Sequence, residues 1–167
     1  MIDLTKKAEL LMGLMFIASL SLILAALGFQ YIGDLAPCDL CYKQRWAYYI
    51  AIAIIPVALF FYGREMPQIS RIILIIMALV FFANTALGIY HSGVEWKLWA
   101  GPSGCSGTGT LDDTINLLKE LETIKIVPCD KVQWSLLGIS MAGYSALASL
   151  GLGLISLFTS LKACDKN

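Results

Sequence analysis

Charge is what this sequence has least of: 14% of its 167 residues are Asp, Glu, Lys or Arg, against about 25% in an ordinary soluble domain. A water-soluble globule is excluded by the complement, since 58% of the chain is apolar where about 45–50% is usual. An excess of either sign is also lacking. Twelve Lys plus Arg balance twelve Asp plus Glu, so no basic face exists to neutralise a phosphate backbone, and nucleic-acid binding is excluded. The few charges gather between long apolar runs, which is membrane composition.

Four runs are long enough to cross a bilayer, whose hydrocarbon core of about 30 Å needs roughly 20 uncharged helical residues. They cover about residues 10–33, 46–62, 72–90 and 134–161. The expectation is an all-α membrane protein: a four-transmembrane-helix bundle, one membrane domain over 1–167, with outward loops at 34–45 and 91–133. Lys6 and Lys7 precede the first run as in a signal peptide, but that run exceeds the 7 to 15 residues of a signal h-region and is read as retained. Pro37 before Cys38 spoils the small-residue pattern of a lipoprotein cleavage box. Lys6, Lys7, Arg64, Arg71, Lys162 and Lys166 crowd the side that holds both termini. Lys43, Arg45, Lys97, Lys119, Lys125 and Lys131 are spread through the longer loops opposite. The denser side is expected to be cytoplasmic. Gly138, Ala142 and Ala146 recur at every fourth position and continue towards Ser149 and Gly153, as a close helix contact in lipid requires. Asn84 and Thr85 are expected to hydrogen-bond between helices.

Of the five cysteines, Cys38, Cys41, Cys105 and Cys129 fall in the outward loops and Cys164 at the cytoplasmic end. Disulfides persist in oxidising compartments, so the outward four can pair and Cys164 should stay inert. Cys38-Asp39-Leu40-Cys41 follows Pro37 at the start of the second run, a helix N-terminus whose free N–H groups and dipole favour a thiolate. Arg45 shares that helical face and places a cation beside the sulfurs. A CxxC also serves zinc sites, but Cys105 and Cys129 are spaced unlike a second zinc knuckle, and two disulfides with no metal are expected. Between them Thr110 to Asp113 fits a capping box, and Leu111, Ile115, Leu118, Leu121 and Ile124 repeat at helical spacing. The outward loop should carry a short amphipathic helix. Trp96 and Trp99 read as interfacial anchors.

With Pro37-Cys38-Asp39-Leu40-Cys41 and Arg45, Tyr90-His91-Ser92-Gly93-Val94-Glu95-Trp96, Gly101-Pro102-Ser103-Gly104-Cys105, Cys129-Asp130 and Trp134-Ser135-Leu136-Leu137-Gly138, the chain resembles the disulfide bond formation protein B (DsbB) family. One departure is Gln44, which stands where some members carry an acid. The resemblance implies an inner-membrane oxidoreductase with cytoplasmic termini and periplasmic cysteine loops. It implies reoxidation of a periplasmic DsbA-like thiol oxidase and electron transfer to membrane quinone, ubiquinone or menaquinone. Cys105 receives the partner's thiolate, Cys129 resolves against Cys38, and Cys41 faces the quinone with Arg45 stabilising its thiolate. His91, at the same membrane face, is implied as a quinone-pocket residue. A vitamin K epoxide reductase-like enzyme is an alternative, but there the quinone-facing CxxC follows the loop pair. A non-enzymatic scaffold with stapled loops leaves the CxxC at a helix start unexplained.

Overall fold

The fold follows from where the apolar runs can be capped. The computed structural model describes residues 2–102 and 128–163, with side chains from Lys6 onward. Its helices are α1 (Ile2–Tyr31), α2 (Asp39–Gly63), α3 (Pro67–Glu95) and α4 (Met141–Lys162), all four long and apolar enough to cross a membrane. A short hairpin of β1 (Ser135–Leu136) and β2 (Ile139–Ser140) precedes α4. The expected capping box at Thr110 to Asp113, the helical stripe from Leu111 to Ile124, and Cys105 and Cys164 lie outside the described residues.

Helix ends depart from the limits set by charge. Helix α2 starts at Asp39, well ahead of Trp46, because Cys38 is its N-cap: the sulfur accepts the Cys41 backbone N–H at 3.3 Å, satisfying one of the free donors of the first turn. Helix α3 opens on Pro67, which has no N–H to leave unpaired. It continues past Tyr90 to Glu95 and closes with Leu98 N–H on the Gly93 carbonyl at 2.9 Å and Lys97 at φ 58°, a Schellman ending. Helix α4 begins later than Trp134. Leu137 and Gly138, at φ 51° and 80°, supply the two left-handed positions of a tight hairpin turn, which pairs Ser135 with Ser140 and Leu136 with Ile139. Ser140 then caps α4 by accepting the Gly143 N–H at 3.3 Å. Gly138 therefore belongs to the turn and not to the small-residue stripe.

The stripe itself works as expected further along. Helix α3 packs most extensively on α4, α2 lies against α3 and α1, and α1 also meets α4. At the α3–α4 crossing a Cβ built on Gly88 would lie 2.8 Å from that of Ala146, so the glycine permits the close approach that dispersion needs in lipid. Asn84 donates to the Ser149 hydroxyl at 2.8 Å, and the Tyr48 hydroxyl meets the same oxygen at 2.8 Å. This node ties α2, α3 and α4 together. Thr85 instead donates to the Phe81 carbonyl of its own helix at 2.9 Å. Met12, Met15, Ile55, Leu74, Met77 and Phe81 fill the core. Outside, Leu24, Phe60, Leu79 and Leu154 are exposed, an apolar exterior suited to lipid.

Candidate active site

The N-terminus of α2 and the C-terminus of α3 meet at one end of the bundle, bringing the CxxC and the sole histidine together. Cys38, at 4% exposure, shares a buried cluster with Leu40, Val94 and Cys129, and Cys41 packs on its edge. The Cys38 and Cys41 sulfurs are 2.8 Å apart, both as free thiols. Cys129 is disulfide-bonded, to a partner outside the described residues. His91 places Nε2 3.6 Å from the Cys38 sulfur, while its Nδ1 lies 2.8 Å from Nε2 of Gln44. One helical turn on, Glu95 brings Oε1 to 4.0 Å from His91 Nε2 with its side chain 6% exposed.

These contacts distinguish the two sulfurs. The Cys41 thiol donates to the Cys38 sulfur and pulls the Cys38 pKa down. Burial opposes this, and His91 and the Cys41 backbone N–H add to the lowering, leaving Cys38 at about 5. Hydrogen bonds to the charged form thus outweigh desolvation. Cys38 is the thiolate of the reduced pair, and its low pKa makes it the better leaving group in thiol–disulfide exchange.

Beside the pair lies a cavity of about 300 Å³. Leu22, Ala26 and Phe29 of α1 and Met141 and Ala142 of α4 give it apolar walls, and Cys38, Cys41, Gln44, Arg45, His91 and Glu95 form its polar end. Trp134 closes one side, its ring 5.1 Å from that of Phe29 and 6.2 Å from that of Tyr144. Arg45 reaches across to α1 and donates to Gln30 Oε1 at 2.6 Å and to the Ala26 carbonyl at 3.3 Å. Its guanidinium also lies over the Tyr42 ring at 5.4 Å.

The structure therefore joins Cys38, Cys41, Arg45 and His91 around one space and packs Cys129 against Cys38. It differs from the sequence reading in detail. Arg45 lines the same cavity as the sulfurs, but its long side chain carries the guanidinium across to Gln30 and Ala26 of α1 and not to a sulfur. Glu95, which the sequence reading leaves in the outward loop 91–133, is buried, because α3 runs one turn further and carries it to the face of His91. Gln44 partners the histidine. The i, i+4 spacing of His91 and Glu95 was the available signal for the acid, hidden by ending the span at Tyr90, just before the histidine. Trp99 is pinned to α3, donating to the Tyr90 carbonyl at 2.8 Å and stacked on the Tyr90 ring at 6.0 Å. A side chain at Gly93 would collide with it. Trp96 stays exposed.

Comparison with known proteins agrees with this arrangement. The sequence model for the family described as "Disulfide bond formation protein DsbB" matches residues 8–159. Proteins named "Disulfide bond formation protein B" are similar. That of Methylococcus capsulatus is 32% identical over 154 residues, 88% of this chain and 89% of the relative. That of Nitrosococcus oceani is 29% identical over 151 residues, 86% of this chain and 85% of the relative. No solved structure matches the chain. A four-span bundle that gathers a CxxC, a further bonded cysteine and a buried histidine at one end, with a family match over most of its length, belongs to the DsbB family of membrane disulfide-bond formation proteins.

Proposed function

We propose that this protein reoxidises a periplasmic thioredoxin-like dithiol oxidase of the DsbA type and delivers the electrons to membrane quinone, ubiquinone or menaquinone. On this reading it is an inner-membrane protein with cytoplasmic termini and periplasmic cysteine loops. The observation that carries the reading is the cavity: apolar walls from α1 and α4 suit a flat lipid-soluble ring, and its polar end sets both CxxC sulfurs beside Arg45 and His91. These two side chains can hold ring oxygens. When bound, a quinone accepts two electrons and two protons and becomes a hydroquinone.

The chain's own residues perform the thiol chemistry. In the oxidised protein, Cys38–Cys41 and Cys105–Cys129 are disulfides. The partner's thiolate attacks Cys105, and the sulfur of Cys129 leaves with the bonding electron pair. Cys129 attacks Cys38, joining to it and releasing Cys41 as a thiolate on the cavity wall. The partner's second thiol then closes the partner's own disulfide and frees Cys105, which attacks Cys129 and expels Cys38. The low Cys38 pKa speeds that departure. Cys38 and Cys41 reclose their bond as two electrons pass to the acceptor. One partner dithiol becomes one disulfide, and two protons accompany the electrons.

A strong acceptor is needed because a DsbA-type partner has a potential near about −120 mV, beyond the reach of glutathione chemistry. Stabilising the reduced CxxC through the Cys38 thiolate makes that pair more oxidising, in the required direction. The test is to mix the purified protein with a reduced DsbA-type partner and a soluble ubiquinone analogue, following quinone absorbance and partner thiols. Equal loss of quinone and partner dithiol is expected. Partner oxidation that continues without quinone, or no quinone loss at all, would overturn the reading.

A further inference from the structure

Gln44 is buried, at 4% exposure, on α2 beside Arg45, among residues that are otherwise mostly apolar. Its amide meets the ring of a histidine that is itself only 2% exposed. A buried amide without a partner is costly, so the pairing explains why Gln44 is tolerated. It does not explain what the histidine gains.

The donor and acceptor roles follow from the partners. The Cys38 sulfur accepts from the Cys41 backbone N–H and, as the thiolate of the pair, has no proton of its own to give, so the group facing it from His91 must donate. That group is Nε2, which also faces Oε1 of Glu95. The ring proton therefore belongs on Nε2. In a neutral imidazole Nδ1 is then a bare lone pair and needs a donor, which the Gln44 NH₂ supplies and a carboxylate at that position could not. An acid there could only accept, and would demand a second ring proton and a charged ring. The Cys38 sulfur and Glu95 face the ring, while Arg45 of α2, Lys131 ahead of the hairpin and Tyr144 of α4 line the same cavity, so charge alone does not fix the ring and the Gln44 amide does.

We infer that Gln44 is a positioning residue that holds His91 neutral, in the Nε2–H tautomer, with that proton aimed at the Cys38 sulfur. The orientation is a property of the reduced protein alone; its value for electron transfer rests on the proposed quinone reading. Gln44 touches the reacting sulfurs only through the ring.

His91 is the one histidine in the chain, so the full-length protein labelled with ring-¹⁵N histidine, reduced and free of quinone in lipid nanodiscs, gives a single pair of ring nitrogen signals. At neutral pH the expected spectrum has one N–H type and one lone-pair type nitrogen, with Nδ1 as the lone-pair type. Gln44→Glu, which keeps the shape, should convert both to N–H type. Gln44→Met, which removes the donor, should move the signals towards a tautomer average and lower Cys38 alkylation at pH 6 severalfold. An Nδ1–H tautomer or a doubly protonated ring in the unmodified protein would overturn the inference. So would spectra and alkylation unchanged in both variants. If the tautomer is as stated but the protein reduces no quinone, the functional reading falls and this inference stands.

Discussion

The two ends of the bundle are built from the same helices by opposite rules. Away from the cysteines, Met12, Ile55, Leu74 and Met77 interlock and small residues bring backbones into contact. At the cysteine end, α1 and α4 leave about 300 Å³ open, and buried polar groups take its place in fixing the geometry: Gln44, Arg45 and His91 each bond to a neighbouring helix or to the cap. Stability resides in the first region and chemistry in the second. Substitutions should therefore separate the two properties.

The largest separation is expected at Cys38. Cys38→Ser removes the sulfur that both accepts Cys129 and leaves it, so partner-dependent quinone reduction should fall at least about a thousandfold, while thermal unfolding of the detergent-solubilised protein shifts by only a few degrees. A comparable loss of melting temperature would show that the cysteine end also carries the fold. Next is the pH dependence of the same sulfur. With its pKa lowered to about 5, Cys38 in the reduced protein should alkylate at a constant rate from neutral pH down to about 6, then slow roughly tenfold per unit below 5. The sign for stability follows. The lowered pKa stabilises the reduced fold fully above the ordinary thiol range, and that contribution is lost as pH falls to about 5. Alkylation with a midpoint near 8.5 would remove the thiolate assignment.

At the packed end, Gly88→Val forces side-chain atoms into Ala146 and should cost about 1–3 kcal/mol in unfolding free energy, with turnover per folded molecule unchanged. The smallest effect is expected at the polar node: Asn84→Ala removes the bond to Ser149, and such bonds in membranes average about 0.6 kcal/mol. Double substitution with Tyr48→Phe should be non-additive, because both act on one hydroxyl. Additive losses would dissolve the node into independent contacts.

The contrast also explains what the sequence could disclose. The four spans were legible because run length alone separates membrane helices from loops, and the CxxC at a helix start was legible because Pro37 and the cap chemistry act locally. Residues 134–140 were read as helix since Trp-Ser-Leu-Leu-Gly-Ile-Ser carries no charge, and counting charges does not see a turn that depends on two left-handed residues. Glu95 misled because a charged residue marks the end of an apolar run but not of the helix, and one further turn carried it beside His91. The sequence places Arg45 on the face of the sulfurs, but its partner Gln30 lies on another helix and is set by packing. Gln44 stood out only as a departure from family pattern; its partner lies 47 residues away in sequence and is set by how α2 meets α3.

The central claim is that the open end of the bundle receives the electron acceptor beside the CxxC. A photoreactive azido-ubiquinone, irradiated with the oxidised protein in nanodiscs and mapped by mass spectrometry of its peptides, tests this directly. The account predicts adducts on cavity-wall residues such as Phe29, Trp134 and Met141, suppressed by excess unlabelled quinone. Adducts confined to outward-facing side chains such as Leu79 and Leu154, with no such competition, would contradict it.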